Sequence, residues 1–254
     1  MILTIDTGNT HTKLGLAENG QMTPICRIPT DRSQTTDGYA ALIGQIMELR
    51  KIDIAEIEGV IISSVVPPVT TALVGAMELI TGKSPMVLGE GAVTDLVKDI
   101  PGGIIAPDLE ANAVAAKELY PLPCVIVSMG TATTVTVVDE NGVYIGGVIL
   151  PGVSTSLNAL TATASLLPDI DLVAPEQAIA TETISALQSG VVYGAAGSID
   201  GILDHFEAEM KIAPKSIVAT GGLGKMICKY CRHNIEVDDQ LLLKGLEIIY
   251  KKNQ

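Results

Sequence analysis

The chain has no tryptophan and one phenylalanine, and only 3% of its 254 residues are aromatic. With 47% hydrophobic residues, its core must be aliphatic, drawn from Val, Ile, Leu and Ala. Such a core suits parallel strands covered by helices on both faces. Positive charge is scarce too: 16 Lys and Arg stand against 29 Asp and Glu, a formal net charge of -13. A field of that sign repels nucleic acid and anionic membranes, and no basic patch interleaved with aromatics offsets it. Neither partner is expected. No apolar run approaches the ~20 residues of a membrane span. The first residues, Ile2-Leu3-Thr4-Ile5, enter a strand without the basic and apolar regions of a secretion signal. The expectation is a cytoplasmic protein. At this balance of charge and hydrophobicity disorder is excluded, and the length allows one large domain or two small ones.

Cysteines are few: Cys26, Cys124, Cys228 and Cys231. Cys124 sits in an apolar run and reads as buried. Cys228-Lys229-Tyr230-Cys231 is a lone CxxC followed by His233. A structural zinc site needs about four ligands, and no second pair exists, so two thiols on a helix or turn is the favoured reading.

What is present is a repeat. Ile2–Asp6 leads through Gly8 to a second β-rich stretch and then Asn19-Gly20. Val125–Ser128 leads through Gly130 to a second β-rich stretch and then Asn141-Gly142. Asn-Gly is a strong hairpin signal, and Gly8 precedes Gly20 by the interval at which Gly130 precedes Gly142. Each half continues with a third strand, near 24–28 and 144–150. Helical patterns follow: Tyr39, Leu42, Ile43 and Ile46 in the first half, Ile199, Ile202, Leu203 and Phe206 in the second. A short apolar strand ends each series in small polar residues, at 59–64 and 216–222, and a closing helix comes next, at 68–79 and 241–251. A short strand near 86–88 is expected as well. The stretch 94–107 reads as irregular and 109–119 as a helix passing between domains. Two domains, 1–112 and 113–254, are therefore expected, with their Gly turns pointing into a shared cleft.

The first turn, Asp6-Thr7-Gly8-Asn9-Thr10, carries a coherent chemistry. Glycine lets backbone approach phosphates, successive N–H groups make an anion nest, and Asn9 and Thr10 add donors. Lys13 adds a point charge that can reach a β- or γ-phosphate. Asp6 cannot donate when ionised; its natural role is to hold Mg²⁺ through waters. Taken alone, the turn could equally be an ordinary tight turn. It is not a Walker A loop, and no GxGxxG is present. Thr220-Gly221-Gly222 would let an adenosine lie flat on the backbone, or is a plain strand-ending turn. Transfer to an alcohol also needs a proton acceptor. Asp108 is the candidate, against the alternative that it is a first-turn helix acid.

These residues resemble the type III pantothenate kinases along nearly the whole chain. The matching pieces are Asp6–Thr10 with Lys13, Ser63-Ser64-Val65-Val66-Pro67, Asn112-Ala113-Val114-Ala115-Ala116, Gly130-Thr131-Ala132-Thr133-Thr134, Gly146-Gly147, Pro151-Gly152, Gln188-Ser189-Gly190, Thr220-Gly221-Gly222 and the tail 241–250. The resemblance implies an α/β fold of two similar actin-like, ribonuclease H-like domains with a nucleotide cleft between them. It implies ATP-dependent phosphorylation of pantothenate on the way to coenzyme A, a homodimer, Mg²⁺ and a monovalent cation, K⁺ or NH₄⁺. It places Asp108 as catalytic base and Asp6, Gly8, Asn9, Thr10, Lys13, Gly130, Thr131, Thr133, Gly221 and Gly222 around ATP. It places Thr183, Gly103 and Leu109 at the acceptor, with Asp6 and Ser128 at metal positions.

Three departures from the family pattern stand out. Leu109 stands where the family usually has Arg, and Ser128 where it has Asp. Glu182 interrupts a Gly-x-Asn-Thr element of which Thr183 survives. Leu offers none of a guanidinium's donors, and a hydroxyl is a weaker ligand for a hard cation than a carboxylate. Three functions stay open: a pantothenate kinase with altered cation dependence, a kinase for another small hydroxylated acceptor, or a nucleotide-binding homologue that is regulatory rather than catalytic.

Overall fold

The computed structural model describes residues 1–254. In chain order the elements are β1 (Ile2–Thr7), β2 (His11–Glu18), β3 (Gln21–Pro29), α1 (Thr36–Leu49), β4 (Gly59–Ser64), α2 (Pro67–Thr81), β5 (Met86–Val87), β6 (Val97–Lys98), α3 (Pro107–Leu119) and β7 (Cys124–Met129). They continue with β8 (Ala132–Val138), β9 (Val143–Pro151), α4 (Val153–Thr163), α5 (Thr183–Met210), β10 (Ser216–Thr220), α6 (Gly224–Ile227), β11 (Glu236–Val237) and α7 (Leu241–Lys252). Two sheets form. One has the order β3-β2-β1-β4-β5, the other β11-β10-β7-β8-β9-β6. With the edge strand β6 set aside and the second sheet read in reverse, the two match strand for strand, antiparallel hairpins followed by parallel additions. The internal duplication is therefore a structural fact.

The chain splits into two compact units. The first comprises Met1–Leu96, Gly102–Glu118 and Gln240–Gln254; the second comprises Val97–Pro101 and Leu119–Asp239. The expected division, 1–112 and 113–254, differs from these units in three places. Helix α3 stays with the first unit almost to its end. The two-residue β6 pairs in parallel with β9, so its segment joins the second unit. Helix α7, expected to close the second half, packs on β1, β2 and β4 instead. The reason is steric. A Cβ on Gly59 would lie 1.7 Å from the Tyr250 hydroxyl, and one on Gly245 would lie 2.0 Å from the Ala111 carbonyl oxygen. Glycines at these points let α7 lie directly on the sheet and on α3.

Side-chain alternation gives the first sheet two distinct faces. Leu3, Ile5, Leu14, Val60 and Ile62 point to one face and join Tyr39, Ile43 and Met47 of α1 and Leu73 and Met77 of α2 in an aliphatic core. Thr4, Asp6, Lys13, Ile61 and Ser63 share the other face. In the second unit Val125, Val127, Val135 and Ala219 make the matching core with Val192, Ala196, Ile199 and Leu203 of α5.

The equal glycine spacing conceals a difference between the hairpins. The β1–β2 pairing runs from Ile2↔Ala17 to Thr7↔Thr12, while β7–β8 runs from Cys124↔Val138 to Met129↔Thr133. The first turn is thus one residue longer. The extra residue is recovered at the following turn. Asn19 (φ 50) and Gly20 (φ 78) form a two-residue loop with both residues left-handed. At the equivalent place Asp139 N–H donates to the Val143 carbonyl, and Gly142 (φ 78) supplies the left-handed residue of a three-residue loop.

Candidate active site

Asp6 is the penultimate residue of β1, where the strand runs out toward the turn. Its antiparallel partner is Lys13 and its parallel partner is Ser63, so three strands bring an acid, a cation and a hydroxyl side by side on one face. Asp6 is only 9% exposed. Burial pushes its carboxyl from 3.8 up to about 7; Lys13 opposes the shift and Asp108 adds to it. The effect of Asp108 on Asp6 puts the two carboxylates in one electrostatic neighbourhood within the first unit.

Asp108 lies in the first turn of α3, just after Pro107 at the position where proline is pre-set for helix initiation. Burial pushes its carboxyl up, and the backbone N–H of Leu109 pulls the other way. One oxygen, Oδ1, is buried without a hydrogen-bond partner. The residue is therefore a first-turn acid that keeps an unsatisfied oxygen and acts on Asp6, not a cap on an outer surface. Glu110, its neighbour in the same turn, is buried and accepts a 2.6 Å hydrogen bond from Thr94.

The turn between β1 and β2 is braced from behind. Thr30 Oγ1 donates to the Gly8 carbonyl at 2.8 Å, Thr30 N–H donates to the Thr10 carbonyl at 3.0 Å, and Gly8 N–H donates to the His11 carbonyl. These bonds hold carbonyl dipoles away from the place an anion would take. Arg32 donates to Asn9 Oδ1 at 3.0 Å, which leaves the Asn9 amide nitrogen as its donating end. Leu109 is partly buried on α3, and Gly103 ends a short 3₁₀ turn with φ 62.

In the second unit Gly130, Thr131, Thr133, Ser128 and Gly221 come together. Gly221 adopts φ 100, and a Cβ there would meet the Met129 carbonyl oxygen at 2.2 Å, so the turn after β10 lies hard against the end of β7. Gly222 follows on that turn. Thr131 is held through its carbonyl, which accepts from Gly152 N–H at 3.0 Å and from Thr155 Oγ1 at 2.7 Å. Ser128 pairs with Thr134 in the ladder, the place that Asp6 and Lys13 hold in the first hairpin. Thr133 and Thr134 each bury a hydroxyl without a partner. Thr183 opens α5 on an exposed stretch, after Glu182, whose side chain makes no cap.

The thiol pair does not form a metal site. Cys228 and Cys231 span a 3₁₀ turn packed against the second core, and no group of three His, Cys, Asp or Glu side chains could hold a metal. His233 turns to Asp200 instead, Nδ1 to Oδ1 at 2.8 Å. Asp200, buried within α5, also accepts from the backbone N–H groups of Arg232 and His233, and these bonds hold its carboxyl below the usual range against its burial. Sequence reading missed this network. Its only signal was an acid inside an apolar helical pattern.

Comparison with known proteins places the chain in a family. The model of the type III pantothenate kinases matches residues 2–205. A type III pantothenate kinase of Halalkalibacterium halodurans is 39% identical over 254 residues, the full length of both chains. The chain belongs to the type III pantothenate kinase family. Among solved structures, a conserved putative Baf family transcriptional activator from Campylobacter jejuni superposes with TM-score 0.56 at 20% identity, over 99% of this chain and 98% of that one. A putative 2-dehydro-3-deoxygalactonokinase from Sinorhizobium meliloti gives 0.58 at 10% identity over 100% and 99%. An archaeal actin homologue gives 0.52 at 13% identity over 99% of both chains. At these identities the likeness establishes the fold: a duplicated α/β architecture of the actin-like ATPase type.

Proposed function

We propose that this chain transfers the γ-phosphoryl group of ATP to the hydroxyl of pantothenate, a step of coenzyme A biosynthesis. The observation that carries the reading is the pair of carboxylates, a buried Asp6 and a half-buried Asp108 whose charge acts on it, with Lys13 in register beside Asp6. Lys13 and the turn residues Asn9 and Thr10 would hold the β- and γ-phosphates, with Gly8, whose N–H is given to the His11 carbonyl, letting the backbone approach them. Asp108, whose carboxyl burial pushes up, would accept the acceptor's hydroxyl proton. Gly221 and Gly222 would support adenosine, and Gly130, Thr131 and Thr133 would complete the phosphate contacts. Thr183, Gly103 and Leu109 would line the acceptor.

Mg²⁺ fits the residues present. It needs one or two carboxylates and keeps most of its waters, so a convergent set of three acids is not required. Asp6 is a buried carboxylate that a cation would return to its ionised form, and the unpartnered oxygens of Ser63 and Asp108 lie in the same unit. When bound, the ion would neutralise charge on the transferring phosphates. A monovalent cation fits less well. At Ser128 it would find the hydroxyls of Ser128 and Thr134 and no acid, so we propose a weakened dependence on K⁺ or NH₄⁺.

A homodimer is proposed from the second unit's surface. Thr133, Pro151 and Val153 with Leu160 of α4 and α5 border an apolar groove of ≈ 520 Å³. Beside it α5 presents Gly190, Gly194 and Gly197, where an added Cβ would meet nothing. A second copy is the occupant such a face suits. The metabolic role suits the cytoplasm, and the net charge of -13 argues against nucleic-acid and anionic-membrane partners.

The deciding experiment measures ADP release from ATP, Mg²⁺ and pantothenate, with and without K⁺. Turnover abolished by Asp108→Asn supports the reading. Turnover only with a different alcohol reassigns the acceptor. No turnover with any acceptor, while ATP still raises the melting temperature, establishes a nucleotide-binding homologue, an outcome that Leu109 and Ser128 would explain.

A further inference from the structure

Three oxygens of the first unit are buried without a hydrogen-bond partner: Ser63 Oγ, Asp108 Oδ1 and Asn112 Oδ1. Ser63 is 0% exposed and Asn112 2%. Their placement in the fold is ordered. Ser63 is the parallel ladder partner of Asp6 and shares its face of the sheet. Asn112 follows Asp108 by one turn of α3, and residues four apart on a helix share a face. Asp108 adds to the upward push on the Asp6 carboxyl. A buried polar atom left unpaired destabilises a fold, and folded proteins hold few of them. Two on α3, which carries Asp108, and one on the strand paired with Asp6 indicate partners supplied by a ligand.

The chemistry of the set narrows that ligand. A carboxylate oxygen and an amide carbonyl oxygen only accept, and a serine hydroxyl can accept. The matching partner must bring O–H or N–H donors. ATP's phosphates bring acceptors. A hydrated divalent cation brings polarised water molecules, each a donor, and Mg²⁺ gives up its waters reluctantly. The same ion would stabilise Asp6 in its ionised form.

We propose that Ser63 and Asn112 accept hydrogen bonds from the water shell of the nucleotide-bound divalent cation and thereby position the ion that Asp6 holds. They are positioning residues, acting through the ion's waters. The inference rests on the phosphotransfer reading above and adds two residues to it. It also makes a demand that a structural role would not: removing these oxygens must leave the empty protein at least as stable while weakening the cation.

The test uses full-length Ser63→Ala and Asn112→Leu, which replace each side chain by an apolar one of similar size. Mn²⁺ binding is followed by electron paramagnetic resonance with a non-hydrolysable ATP analogue present, and melting is measured without ligands. Each variant should bind Mn²⁺ about tenfold more weakly, the value of one lost charge-assisted hydrogen bond. Its ligand-free melting temperature should be unchanged or higher by about 2 °C. In the kinase assay the Mg²⁺ concentration for half-maximal rate should rise by the same factor, with the KM for pantothenate unchanged. Wild-type Mn²⁺ affinity in both variants overturns the proposal. So does a fall in ligand-free melting temperature with Mn²⁺ affinity unchanged, which would assign both oxygens to internal packing or a structural water. If the wild-type protein binds no Mn²⁺ with the analogue, the phosphotransfer reading itself fails, and the two failures are told apart by the wild-type control.

Discussion

Replacing Asp6 by Asn removes a buried carboxylate whose folded-state proton affinity is far above its unfolded one. Its pKa moves from 3.8 to about 7, chiefly because burial disfavours the charge. At ~1.4 kcal/mol per unit, that displacement corresponds to about 4 kcal/mol between the two protonation states. The sign follows from proton counting. Between roughly pH 4 and 7 the unfolded chain has lost the Asp6 proton and the folded chain keeps it, so the folded state binds more protons and stability falls as pH rises. The stabilisation is fully present below the unfolded pKa and is gone once pH exceeds about 7. The amide of the Asp6→Asn variant cannot titrate and lacks this slope. Urea unfolding of wild type and variant, without nucleotide, at pH 5 and pH 8 should show the variant gaining about 3 kcal/mol on the wild type across that interval. That corresponds to roughly 6–12 °C in melting temperature for a chain of this size. A pH-independent offset between the two proteins would refute the reasoning, because it would mean that Asp6 is already ionised in the empty site at pH 5. Mg²⁺ and ATP should oppose the wild-type slope, since the cation favours the ionised form, and should not do so in the variant.

Three further outcomes are expected. Asp108→Asn should lower kcat by about 10²–10⁴-fold, the usual worth of a general base, while the ATP-induced rise in melting temperature stays within a degree or two; loss of both would make the residue structural. Gly221→Ala should destabilise by at least ~1–3 kcal/mol, because the residue holds φ 100 and its Cβ would stand 2.2 Å from the Met129 carbonyl oxygen; urea titration checks this, and a neutral result would mean the turn relaxes freely. Ser128→Asp restores an acid opposite Thr134; K⁺, compared with tetramethylammonium, should then raise the variant's melting temperature more than the wild type's, and equal responses would end the cation-site reading.

The strands and the duplication were legible because apolar runs and Asn-Gly turns are local signals. The adjacency of Asp6 and Lys13 was legible for the same reason: a short antiparallel hairpin forces it. What escaped was long-range. Gly8 and Gly130 each precede an Asn-Gly glycine by equal intervals, yet their hairpins differ by one residue, since an insertion at one turn is cancelled at the next. Nothing local says that α7 packs on the first sheet; Gly59 and Gly245 permit it, and their clash partners are Tyr250 and Ala111. Nor could the chain alone show that Ser63 faces Asp6's side of the sheet, or that Asp108 keeps one oxygen unpaired.

Duplication gives two copies of one hairpin, and the two have diverged at the same ladder position. In the first, Asp6 faces Lys13; in the second, Ser128 faces Thr134. Burial pushes Asp6 toward its neutral form, and Lys13 opposes that push. The second hairpin carries neither member of that pair, and its neutral pairing avoids the cost of burying a charge. This is consistent with a division of labour in which the first turn bears the charged work on phosphate and cation. The neutral Ser128–Thr134 pair leaves Asp6, Asp108 and the unpaired oxygens of the first unit as the place where a change in metal response should first be measured.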